Sequence, residues 1–136
     1  MDDRPRGHRR RRPDTGDPAV FEALVAHALD TIPEPFARGL DDVAVVIDDE
    51  PSPQQRREAG LRYGQDLYGL YEGVPRTAYG RDWAAVPNKI TLFRLPLEED
   101  FPDPDDLERQ VRHTVIHELA HHLGISDARL HDLGAY

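Results

Sequence analysis

There is no cysteine among the 136 residues. Disulfides are therefore excluded, and any metal must be held by nitrogen and oxygen ligands. No run approaches the roughly 18 apolar residues that a membrane span requires, so no membrane is expected as a partner. No apolar stretch follows the basic start of the chain as a secretory leader would, which makes a cytoplasmic location the expectation. Methionine occurs once (Met1), lysine once (Lys89) and tryptophan once (Trp83). Positive charge is scarce and displaced. The first thirteen residues hold six arginines against two aspartates, while the whole chain carries a formal net charge of −9. The body is thus more acidic than the total implies, which argues against nucleic acid as the main partner.

A chain of this length, 38% hydrophobic, is expected to build one domain around one core. Residues 1–16 are dense in Arg and Pro, lack apolar periodicity and read as a disordered, Arg-rich arm. No aromatic residue interleaves the arginines, so the arm reads as a solvated tail before it reads as a nucleic-acid tether. Residues 17–136 are then the folded domain.

Asp17 and Pro18 open a helix well, as cap and first-turn residue. Val20, Phe21, Leu24, Val25, Ala28 and Leu29 recur at helical spacing to about Thr31, and His27 within this stretch reads as a surface or boundary residue. A short helical turn is expected over 36–39. Residues 43–48 (VAVVID) are β-branched and read as a strand. Residues 48–55, with three acids and two prolines, read as loop, and 59–65 are open between helix and excursion. Residues 67–72 read as a strand before a turn, 77–87 as a loop, and 89–95 (KITLFRL) as a second clear strand ended by Pro96. The acids and proline of 103–106 suit the start of a long helix running to about 123. A last short helix is expected from Ser126 to Leu133.

The long helix carries His117-Glu118-Leu119-Ala120-His121. Histidines four apart project from one helix face one turn apart, close enough to hold a single ion, and the glutamate after the first sits beside that ion without having to bind it. Two imidazoles and a neighbouring carboxylate are what a metal-activated water requires. At about 100° per residue, Val115, Ile116, Leu119, Ala120 and Leu123 share one arc and the histidines the opposite one, so one face packs and the other holds something polar. A tetrahedral zinc needs a third protein ligand. Gly124 can end the helix in a left-handed turn, and the reversal can return Asp127 toward the histidines. His113, His122 and His131 are rivals. His113 lies about 12 Å along the axis from His121, and His122 points about 100° away from it. His131 is the most credible substitute, while Asp127 could instead cap the last helix.

Written as HELAHHLGISD, the pattern H-E-x-x-H-x-x-G-x-x-D resembles the small zincin-like family of minimal metalloproteases. LYGLYEGVP at 67–75 and NKITLFRLPLE at 88–98 are similar to that family too, so the resemblance covers roughly residues 18–133. It implies an α+β fold: a single compact zincin-like domain with a small mixed β-sheet packed against the active-site helix and an N-terminal helix. It implies one zinc per chain on His117, His121 and Asp127, with Glu118 as general base, acting on a peptide or unfolded polypeptide. The methionine-turn proteases, which use a third histidine, are excluded because Met1 is the only methionine. Tyr68, Tyr71, Tyr79 and Arg94 are candidate oxyanion donors. An extended substrate could add to either late strand. The alternative from another class is a non-catalytic zinc module whose metal staples the last helix to the core.

Overall fold

The structure is a computed structural model that describes residues 16–60, 67–73, 88–125 and 127–132, the side chains of Asp127 and Leu130 excepted. The Arg-rich arm and the loop expected over 77–87 lie outside these residues. Among the described residues the elements follow in the order α1 (Pro18–Asp30), α2 (Phe36–Gly39), β1 (Val43–Asp48), α3 (Pro53–Glu58), β2 (Gly69–Glu72), β3 (Asn88–Phe93), α4 (Arg94–Asp100), α5 (Pro104–His122) and α6 (Asp127–Asp132). The protein is α+β, as expected, with a three-stranded mixed sheet in the order β1-β3-β2. β1 runs parallel to β3, pairing Val45 with Ile90 and Ile47 with Leu92. β2 runs antiparallel to β3 on its other side, pairing Gly69 with Leu92 and Tyr71 with Ile90.

Side chains alternate across a strand, so Val43, Val45, Ile47, Ile90, Leu92, Gly69 and Tyr71 share one face of the sheet. Helix α5 covers that face and α1 packs on α5. Ile90 and Leu92 are fully buried with Val111, Val115, Ile116, Leu119 and Ala120 of α5 and with Phe21, Val25 and Ala28 of α1. Two of the expected apolar positions do not join this core. Val20 is 64% exposed, because the arc of α1 that meets α5 runs through Phe21, Val25 and Ala28 instead. Leu123 is 55% exposed, because it is the residue at which α5 ends. Polar ties hold α1 to α5: His27 Nδ1 lies 2.5 Å from Glu108 Oε2, and Arg112 donates to Thr31 Oγ1 at 2.7 Å. His27 is thus a boundary residue paired across two helices.

Two local readings need correction. Residues 53–55 belong to α3 and not to a loop, while most of the stretch 59–65 lies outside the described residues. Ser52 Oγ accepts from the Gln55 amide and Gln55 Oε1 accepts from the Ser52 amide, a reciprocal cap that satisfies two otherwise unpaired donors. The strand expected over 89–95 stops at Phe93, where α4 begins. Pro96 sits in the first turn of α4, where a missing amide hydrogen breaks no helical bond. Leu95, Pro96 and Leu97 are buried, so the alternating pattern turned helical without losing apolar content. Among the described residues no helix is long and apolar enough to cross a membrane.

Candidate metal centre

Asp103 opens α5, its carboxylate accepting from the Asp106 amide at 3.1 Å with Pro104 in the first turn. Asp105 and Asp106 lie at the positive end of the helix dipole. The other end closes as the glycine spacing implies. Gly124 has φ of +80°. Its amide donates to the His121 carbonyl at 3.1 Å, and the Ile125 amide donates back to the Ala120 carbonyl at 2.8 Å. These are the two bonds of a Schellman turn. Ile125 packs on the core and α6 starts at Asp127, so α5 ends within a few residues of His121. Gly124→Ala meets no atom within 4 Å, so its cost is purely that of a left-handed backbone. It should destabilise the fold by about 1–2 kcal/mol, which urea unfolding would register as a lower midpoint at unchanged slope.

Three histidines descend one side of α5. Residues four apart on a helix are separated by about 6 Å of rise. The rings of His113 and His117 keep that spacing, with centroids 5.8 Å apart and nearly parallel. Those of His117 and His121 are drawn together to 4.0 Å and tilted by 58°. The convergent pair is the one the motif singles out. His117 is half-buried and His121 exposed, so their open side can be reached from solvent. Glu118, also half-buried, turns toward the sheet, and its Oε1 accepts from the main-chain amide of Tyr71 at 3.0 Å. Among the described residues no three of His, Asp and Glu gather as a metal site. The side chain of Asp127 lies outside the described ones. The two imidazoles fit zinc by chemistry and by convergence.

His122 has a different neighbour. Its ring stacks on that of Tyr71, with centroids 3.9 Å apart and planes 16° from parallel, consistent with its direction away from His121. Burial raises the Tyr71 phenol above its ordinary pKa of 10.0, so it stays protonated at neutral pH. Two of the other oxyanion candidates are engaged elsewhere. The Tyr68 hydroxyl donates to Asp100. Arg94 binds Asp49 at 3.1 Å, Glu98 at 3.0 Å and the Gly16 carbonyl at 3.2 Å. Tyr79 lies outside the described residues.

Beside His117 and Glu118 is a cavity of about 240 Å³ lined by the start of β2 and the polar face of α5, including Gln110, His113 and Thr114. Two of its lining residues, Gly69 and Thr114, are in close contact. A Cβ on Gly69 would fall 2.6 Å from Thr114 Cγ2. Thr114 is only 7% exposed, and its hydroxyl accepts from Gln110 Nε2 at 3.0 Å, so it has little freedom to yield. A glycine here lets the strand lie on the helix one turn before Glu118. Gly69→Ala is expected to cost about 1–3 kcal/mol, read as a lowered unfolding midpoint. Gly69 and the Tyr71 amide were not among the sequence-derived site residues. A glycine inside a strand pattern marks a close approach and could have exposed the first. A main-chain amide leaves no trace in the sequence.

Fold and site together define a small helix-borne H-E-x-x-H centre beside a mixed sheet. The family model of zincin-like metallopeptidases matches residues 40–135, and the chain belongs to that family. It is also similar to the solved structure of a conserved hypothetical protein from T. thermophilus. That similarity is 31% identity over 79% of this chain and 94% of the other, with a TM-score of 0.54. No curated protein matches the chain.

Proposed function

We propose that the chain is a zinc-dependent peptidase that holds one zinc ion on His117, His121 and Asp127 and uses Glu118 as general base. The observation that carries this reading is the division of labour on one helix turn. Two imidazoles converge on the solvent side while the carboxylate between them is held against the sheet. Zinc so bound supplies a Lewis acid that activates water and polarises a carbonyl. Glu118 takes the proton of the attacking water at Oε2, since Oε1 is occupied by the Tyr71 amide. As the water oxygen bonds to the carbonyl carbon and the carbon–nitrogen bond breaks, Glu118 returns the proton to the leaving amine.

The substrate is an extended peptide or unfolded segment added to β2. β3 is the central strand and β1 and β2 are the edges among the described residues, of which β2 is the one beside Glu118. Tyr68 takes the Phe93 amide through its carbonyl, so by strand alternation residues 68, 70 and 72 face β3. Gly69 and Tyr71 turn their main-chain groups the other way, toward the space beside Glu118. An incoming strand pairs there with the main-chain groups of Gly69 and the Tyr71 carbonyl, the Tyr71 amide being committed to Glu118, and the adjoining cavity takes one of its side chains. The test is cleavage of an unfolded polypeptide by untagged protein. Cleavage should stop on chelation and return with zinc. Hydrolysis indifferent to the chelator, or none with the metal loaded, contradicts the reading.

A further inference from the structure

We infer that β2 is a positioning element for Glu118: the main-chain amide of Tyr71 fixes the base, and the Gly69–Thr114 contact sets the distance at which it does so. The inference deepens the proposed function and rests on it for the word base. The hydrogen bond itself is a property of the free protein.

Glu118 has three rotatable side-chain bonds, and a general base must be held within hydrogen-bond reach of the proton it takes. The amide of Tyr71 is unused by the sheet, because residues of its parity face away from β3. It therefore reaches Glu118 Oε1 at 3.0 Å with no loss to the β2–β3 ladder. One carboxylate oxygen is pinned and the other is left for chemistry. The pin is only as good as the register of β2 on α5, and that register is where Gly69 lies on Thr114. Thr114 and Glu118 are one turn apart on the same helix, and Gly69 and Tyr71 are one pleat apart on the same strand face. Contact and hydrogen bond thus form two rungs between one helix and one strand. The ring of Tyr71 on His122 adds a third attachment at the helix end.

The test follows amide exchange by nuclear magnetic resonance in the full chain, in wild type, Glu118→Ala and Glu118→Gln. A hydrogen bond to a charged acceptor contributes about 1.5–3 kcal/mol. Loss of the carboxylate in Glu118→Ala should therefore speed exchange of the Tyr71 amide about ten-fold or more, leaving those of Leu70 and Glu72 unchanged. Glu118→Gln keeps an acceptor oxygen and should restore most of the protection. Equal exchange in all three proteins overturns the inference, as does acceleration of all the β2 amides together. A second variant reads the consequence. Tyr71→Pro removes the amide at an edge position that tolerates proline, and Tyr71→Ala, which lacks the same ring and hydroxyl but keeps the amide, is the reference. In Tyr71→Pro, kcat should fall about ten-fold or more below that of Tyr71→Ala at unchanged zinc content. Equal kcat in the two variants overturns positioning even if the exchange result holds. If no form of the protein hydrolyses peptides, the exchange result still decides whether the amide holds Glu118, and the peptidase reading is what fails.

Discussion

Glu118→Gln is expected to reduce peptide hydrolysis about 10²- to 10⁴-fold, the usual contribution of a positioned general base, while zinc content and unfolding midpoint stay at wild-type values. The substitution changes little else. Glutamine has the same length, and its side-chain oxygen can still accept the Tyr71 amide that now meets Oε1. What it loses is the capacity to take a proton. The same variant separates the two classes of function that the sequence allows. In a zinc module whose metal only staples α6 to the core, Glu118 has no chemical task, and its replacement should alter neither stability nor partner binding. Steady-state cleavage of an unfolded polypeptide, measured beside zinc content, distinguishes the two.

His117→Ala is expected to have the larger effect on the metal. It removes one of the two rings that converge to 4.0 Å, and the imidazole left behind cannot chelate through the helix. Bound zinc should fall from about one per chain to near zero, because structural and catalytic sites alike need three or four protein ligands. His113→Ala is the control. Its ring keeps the ordinary helical spacing from His117, and zinc content should be unaffected. Loss of hydrolysis in His117→Ala with zinc retained would mean that the ring acts in some other role than as a ligand.

Much of this was legible because helix geometry is local. The five residues His117-Glu118-Leu119-Ala120-His121 determine which side chains share a face whatever the rest of the chain does, and Leu119 and Ala120 are indeed buried while His121 is exposed. The left-handed turn at Gly124 was legible for the same reason, since only glycine adopts that backbone cheaply. Helix α4 was hidden because Arg94 and Leu95 follow directly on the apolar run of Ile90, Leu92 and Phe93 with no turn residue between them. Buried Leu95 and Leu97 suit a strand or a buried helix equally. Helix α3 was obscured by the acids and proline just before it (Asp48, Asp49, Glu50, Pro51) and by its own Pro53, although Ser52 and Gln55 carry the reciprocal cap signature. Edge and centre among the strands could not be read at all. Both late strands are short and apolar, and their order depends on long-range pairing. The bond between Tyr71 and Glu118 spans 47 positions and joins a main-chain group to a side chain, so no periodicity announces it.

The central claim is a zinc centre completed by Asp127, and the most direct test is metal content by plasma mass spectrometry on untagged wild-type protein, His121→Ala and Asp127→Ala. The account predicts about one zinc per wild-type chain, none in His121→Ala, where a single imidazole of the pair is left, and weakened retention under mild chelation in Asp127→Ala, where both imidazoles remain. Wild-type protein without metal, or zinc held with equal strength when Asp127 is alanine, would contradict it.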